Sequence, residues 1–153
     1  MFEVYEKLEK GFDGRVDDFI SLDHLQRERA RLKVTSDGGE EVRLFLDRGD
    51  LLLNGDVLRS NCNKLIGVRL QAEPVITATA TTWSDHSRAC YHLGNRHTRI
   101  QIGELWVRFL EDPVLIELVE RFGLSVIKET AEFEPEIGAY GHGHAGKPRA
   151  DER

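Results

Sequence analysis

The 153-residue sequence predicts an α+β fold, in which a small all-β domain precedes a domain with the element order β-α-β-β-α-β. Three observations predict it. Between Val16 and Leu70 short alternating segments are broken by turn residues. After Glu73-Pro74 the elements lengthen and helix signals appear. From Pro135 onward glycine and proline recur without apolar periodicity. The implied parts are residues 1–73, 74–140 and a tail, 141–153.

In the first part, Arg31-Leu32-Lys33-Val34-Thr35 puts Leu32 and Val34 on one face. Asp37-Gly38-Gly39 supplies a turn, and Val42, Leu44 and Leu46 repeat the alternation, which predicts a hairpin. Asp47-Arg48-Gly49-Asp50, Asn54-Gly55-Asp56 and Asn61-Cys62-Asn63 then punctuate further apolar runs, Leu51-Leu52-Leu53 and Leu65 to Leu70.

In the second part, Val75 to Thr82 is rich in β-branched residues and reads as a strand. Ser84 or Asp85 is positioned to cap a helix running to about Leu93, with Gly94 ending it in the left-handed conformation. Thr98 to Ile102 and Leu105 to Leu110 alternate as two strands around Gly103-Glu104. Asp112 then caps a helix that has Pro113 at its first position and Leu115, Leu118, Val119 and Phe122 on one face. Gly123 closes that helix, and Leu124 to about Phe133 is the last strand. This order is the split βαβ, ferredoxin-like arrangement, two helices over one face of a four-stranded antiparallel sheet. Such a fold hosts many activities, so function has to be argued from a site.

The net charge of −6 argues against a broad basic surface, and so against nucleic acid and anionic membranes as partners. No apolar run approaches the roughly 18 residues that span a bilayer, and Met1 to Glu6 lacks a basic region followed by an apolar one. A cytoplasmic location is expected. Cys62 and Cys90 are not closely spaced, and a reducing compartment keeps them as thiols.

Six histidines stand at positions 24, 86, 92, 97, 142 and 144, five of them in the second half. A neutral imidazole offers a ring nitrogen to nickel, copper or zinc. Gly141-His142-Gly143-His144 places two imidazoles on one side of an extended chain, where they could share an ion. The same string also reads as a solvated tail without a ligand role, or as part of a purification tag. His97 follows Gly94-Asn95-Arg96 at a helix-strand junction, where it is either a ligand at the sheet rim or an ordinary surface residue. His92 and His86 sit six apart on the preceding helix and are weaker candidates, with His24 weaker still. Cys90 reads as a packed core residue, and Glu134 and Glu136 receive no primary role.

Ala89-Cys90-Tyr91-His92-Leu93-Gly94-Asn95-Arg96-His97 with Gln101-Ile102 resembles the signature of the UreE family, urease accessory proteins that act as nickel metallochaperones. Phe122-Gly123-Leu124, Phe133-Glu134-Pro135-Glu136 and Gly138 to His144 resemble the same family's C-terminal stretch in order and spacing. Leu44 to Gly49 and Gly55 to Leu58 match more loosely. The resemblance implies an N-terminal β domain of peptide-binding type, a ferredoxin-like metal-binding domain and a homodimer formed through it. It implies that His97 is the central nickel ligand and that His142 and His144 complete the coordination, with His92 as a possible secondary ligand. It further implies delivery of Ni2+ to a urease maturation GTPase and the apo-urease complex, with Zn2+ or Cu2+ able to substitute, and no catalytic role.

The departures from the family carry information too. Some relatives have extra histidines on the third strand of the second domain, where this chain reads Phe109-Leu110-Glu111-Asp112-Pro113. Others end in long histidine-rich tails, whereas here two histidines are followed by Ala145-Gly146-Lys147. The first implies that such peripheral sites are absent, and the second points to delivery rather than bulk storage. Two other readings compete. One is a small metal-dependent hydrolase with His97, His142 and His144 as ligands and Glu134 or Glu136 activating water, although a mobile tail preorganises ligands poorly. The other is a metal-free adaptor whose β domain binds extended peptides.

Overall fold

The computed structural model of the protein describes residues 1–137. They form two compact units, with Met1–Arg69 in the first and Leu70–Glu136 in the second. The expected tail, 141–153, lies outside the described residues. Among the described residues no helix is long and apolar enough to cross a membrane.

The first unit contains β1 (Phe2–Lys7), β2 (Asp18–Leu22), α1 (His24–Arg27), β3 (Arg31–Thr35), β4 (Glu41–Phe45), β5 (Val57–Ser60) and β6 (Leu65–Leu70). The strands make one sheet in the order β2-β6-β5-β1-β4-β3. The expected hairpin is present as β3 and β4, and Leu32 opposite Leu44 and Val34 opposite Val42 put the alternating residues on one face. Val4, Ile20, Leu22, Val42, Leu58 and Ile66 are fully buried in the core of this unit.

Three features of this unit differ from expectation. β1 is a central strand, parallel to β4 and antiparallel to β5. The unit is not wholly β, because Asp23 accepts from the Gln26 N–H while the Gln26 side chain accepts from the Asp23 N–H, a capping box that nucleates the single turn α1. Leu51-Leu52-Leu53 forms no strand; Leu52 alone is fully buried, as the apolar anchor of a loop.

The second unit contains β7 (Glu73–Thr79), α2 (Trp83–Asn95), β8 (Gln101–Ile102), β9 (Trp106–Phe109), α3 (Pro113–Arg121) and β10 (Ser125–Ala131). Its sheet runs β10-β7-β9-β8 with every neighbour antiparallel. Ile76, Ala78, Val107 and Phe109 point from one face of the sheet into a core shared with Ala89 and Leu93 of α2 and Leu115 and Val119 of α3. The alternate residues Thr77, Trp106 and Arg108 therefore belong to the opposite face.

α3 is as the sequence predicts. The Asp112 carboxylate accepts from the Val114 N–H at 2.9 Å, and Pro113 opens the helix. Gly123 ends it at φ 84°, its N–H bonded to the Glu120 carbonyl and the Leu124 N–H to that of Val119, a Schellman motif. α2 departs from the prediction at both ends. Its N-cap is Thr82, whose hydroxyl accepts from the Asp85 N–H at 3.2 Å, rather than Ser84 or Asp85. Gly94 lies inside the helix, which continues to Asn95, so the chain leaves it at a different residue. β8 shrinks to two residues, because Leu105 takes a positive φ of 61° and the Gly103 N–H turns back to the Trp106 carbonyl.

Candidate metal centre

The residue that ends α2 is His97. Arg96 is the C-cap, and His97 follows at φ 55° with its N–H donated to the Gly94 carbonyl at 3.0 Å. The left-handed position expected for Gly94 is thus filled by a histidine, at a steric cost of about 1 kcal/mol. Histidine is among the few non-glycine residues that tolerate this region. His97 is exposed and stands three residues before the buried Ile100.

The other histidines are placed differently. His86 is 4% exposed, and its Nε2 lies 3.0 Å from the Trp106 carbonyl oxygen and 3.7 Å from Cys90 Sγ. A carbonyl only accepts, so Nε2 carries the proton and this ring is spent on holding α2 to β9. His92 is exposed on the last turn of α2, stacked on Phe122 with ring centroids 4.9 Å apart and meeting Tyr91 edge-on. His24 is buried on α1 of the first unit. His142 and His144 lie outside the described residues.

Cys90 packs half-buried against the helix side of the core, as its helix position suggests. Burial, and secondarily the Glu136 carboxylate, push its thiol pKa up, which keeps it protonated and a poor ligand. Glu134 and Glu136 have exposed side chains, and what fixes them is their backbone. The Glu134 N–H donates to Gln101 Oε1 at 3.0 Å and the Glu136 N–H to the Ile100 carbonyl at 2.6 Å. Among the described residues no three histidine, cysteine, aspartate or glutamate side chains converge as a metal cage.

One well-anchored side chain of the second unit is absent from the sequence-based candidates. Arg108 on β9 donates from Nε to the Thr77 hydroxyl, from Nη2 to Glu129 Oε1 and from Nη1 to the Glu132 carbonyl, each at 3.0 Å. Its guanidinium also lies over the Trp106 ring, 4.7 Å from the centroid. The available signal was its alternation with Val107 and Phe109, which puts a long cation on the face of the sheet away from the helices.

Fold and site together define a two-unit α+β protein with an exposed histidine just past a helix end and, among its described residues, no group of three or more histidine, cysteine, aspartate or glutamate side chains placed to hold a metal ion. Residues 4–71 match the N-terminal domain and residues 73–152 the C-terminal domain of the UreE urease accessory protein. The chain belongs to the UreE family. It is similar to the urease accessory protein UreE of Alteromonas mediterranea, 54% identical over 134 residues that cover 86% of this chain and 87% of that one. The UreE proteins of Psychromonas ingrahamii and a Marinomonas strain are 49% and 47% identical, each alignment covering 95% of this chain and 97% and 99% of theirs. The family is that of an accessory protein to urease, not of an enzyme.

Proposed function

We propose that this protein is a nickel metallochaperone for urease maturation: it binds Ni2+ at a homodimer interface and delivers it for assembly of the urease metallocentre. The observation that carries the reading is His97, an exposed imidazole in a left-handed conformation that belongs to no group of three potential ligands among the described residues. One such ring holds an ion weakly. Two copies meeting on a two-fold axis give a two-ligand site, as symmetry provides whenever a residue lies on the axis of an isologous dimer.

His142 and His144 of the tail then complete the coordination, and His92 is a secondary ligand. Neutral imidazoles from an interface and a tether exchange metal faster than a closed cage, which suits cargo that has to be passed on. Imidazole prefers borderline ions, so Zn2+ or Cu2+ can occupy the same ligands. The recipients are a urease maturation GTPase and the apo-urease complex in the cytoplasm. Residues 1–73 serve protein contacts as a peptide-binding domain, residues 74–140 metal binding and dimerisation, and residues 141–153 the histidine tail. A ferredoxin-like assignment of the second domain is supported by its strand order, with the first strand at the centre beside the last.

The test is stoichiometry. Nickel titration by calorimetry, run beside light scattering for mass, is expected to give one tightly bound ion per dimer. One tight ion per monomeric chain, or turnover of a hydrolytic substrate with bound metal, contradicts the proposal.

A further inference from the structure

The segment Glu132–Glu136 does not leave the second unit after its last strand; it crosses the sheet. β10 is one edge strand and β8 the other, with β7 and β9 between them. The Glu132 carbonyl accepts from Arg108 on β9, the Glu134 N–H donates to the Gln101 side chain on β8, and the Glu136 N–H donates to the Ile100 carbonyl just before β8. Phe133, between the first two anchors, is fully buried. Val75 and Thr77, on the face of β7 away from the helices, are buried as well, as a covering segment requires.

The far end of this crossing is fastened close to His97. On its N-terminal side His97 is held by α2, with φ at 55° and its N–H on the Gly94 carbonyl. On its C-terminal side stand Thr98 and Arg99, and then Ile100 and Gln101, the two residues that the crossing segment grips. Chain geometry keeps the Ile100 backbone within about 11 Å of that of His97. The sheet alone holds this side weakly, because β8 is an edge strand of two residues and only Gln101 and Ile102 pair with β9. Short edge pairings of this kind are where local opening starts. The buried Ile100 side chain adds an apolar anchor, and the bonds to Glu134 and Glu136 fix the course of the backbone around it.

We propose that Glu132–Glu136 is a brace that presents His97, with Gln101 and Arg108 as positioning residues of the metal site. The inference rests on the reading of His97 as a nickel ligand shared between two copies of the chain. Arg108 suits the role because its planar fork makes three directed bonds at once, two to the sheet and one to the segment. Gln101 works at the other end, where its side-chain oxygen accepts from the segment while its backbone belongs to β8. Symmetry makes the brace count twice, since both imidazoles have to be in place at once. A loop in place about half the time in each copy weakens such a two-imidazole site about fourfold.

The experiment combines nickel titration by calorimetry with amide hydrogen exchange of the metal-free protein, on the full-length chain and on Gln101→Leu, Gln101→Glu, Arg108→Ala and His97→Ala. Leucine removes the acceptor for the Glu134 N–H, and glutamate keeps it. Gln101→Leu and Arg108→Ala are expected to weaken tight nickel binding about two- to fourfold at unchanged stoichiometry. They are also expected to speed exchange of the His97 N–H, while the Leu124 N–H, bonded to Val119 in the same unit, exchanges as before. Gln101→Glu is expected to keep both values near those of the unmodified chain. Unchanged affinity in Gln101→Leu and Arg108→Ala overturns the brace, and so does a loss in Gln101→Glu as large as in Gln101→Leu. Equal acceleration at His97 and Leu124 also overturns it, because that marks general loosening of the unit. Should Arg108→Ala not fold, the two Gln101 variants decide alone. Tight binding that survives in His97→Ala overturns instead the reading beneath the inference, a result that the Gln101 and Arg108 variants cannot produce.

Discussion

The backbone N–H of Glu136 meets the carbonyl oxygen of Ile100 at 2.6 Å, which ties the chain beyond the last strand to a point three residues from His97. Two stretches 36 residues apart in sequence thus share one rim of one sheet. The glutamates of the Phe133–Glu136 string are held close in space to the segment that follows the exposed histidine.

His97 holds its conformation at a cost. At φ 55° glycine is unstrained, so His97→Gly is expected to stabilise the second unit by up to about 1 kcal/mol while removing nickel binding. Thermal melts of the metal-free protein check the first half and a nickel titration the second. A lower melting temperature would show that the imidazole makes a contact that outweighs the backbone strain.

The two cysteines are expected to differ in reactivity. The Ser60 hydroxyl beside Cys62, 3.3 Å from its sulfur, lowers the pKa of this exposed thiol, whereas burial raises that of Cys90. At neutral pH the thiolate fraction favours Cys62. Mass spectrometry during iodoacetamide treatment is expected to show Cys62 modified well before Cys90; the reverse order would contradict the packing of α2.

Asp18 ties the start of β2 to the hairpin turn. Burial raises its pKa, but hydrogen bonds from the Ser36 hydroxyl and from the N–H groups of Phe19 and Gly38 outweigh that and lower it overall. A depressed carboxylate stabilises the fold above its unfolded-state pKa, about 3.9, and loses that contribution as pH falls through its folded value. Asp18→Asn is therefore expected to destabilise the protein at pH 7, with the difference from the natural chain closing below about pH 4 in urea melts. A difference that stayed constant with pH would assign the effect to shape rather than charge. Gly38 permits this contact, because a Cβ there would lie 2.8 Å from Asp18 Oδ2.

Gly103 is required by its neighbour. A Cβ at this position would overlap the Trp106 ring, so Gly103→Ala is expected to displace the indole and cost about 1–3 kcal/mol. Denaturation followed by tryptophan fluorescence reads both effects. An unshifted emission spectrum with unchanged stability would mean that the turn between β8 and β9 yields freely.

Much of the second unit was legible because its signals are local. Asp112-Pro113 and Gly123 bracket α3 through the bonds their own neighbours make, and no distant residue is needed to place them. β1 was not legible, since its place depends on β4 and β5 far along the chain and only Val4 of its apolar residues is fully buried. The one-turn α1 carried the Asp23–Gln26 capping box but no apolar periodicity to announce a helix. At α2 the general preference for glycine at a helix end pointed to Gly94, while the helix ran on and His97 took the strained position. His97 was legible as a candidate from the Gly-Asn-Arg-His string; Arg108 was not, because its three acceptors lie on β7, on β10 and beyond β10.

The most direct test of the proposed nickel site is a calorimetric titration of the His97→Ala protein with Ni2+, alongside the unmodified chain and with the oligomer mass measured on both. The proposal predicts that the tight site disappears while the mass and fold are kept, leaving only weak binding to the remaining histidines. Tight binding that survives unchanged in His97→Ala would place the metal elsewhere and contradict it.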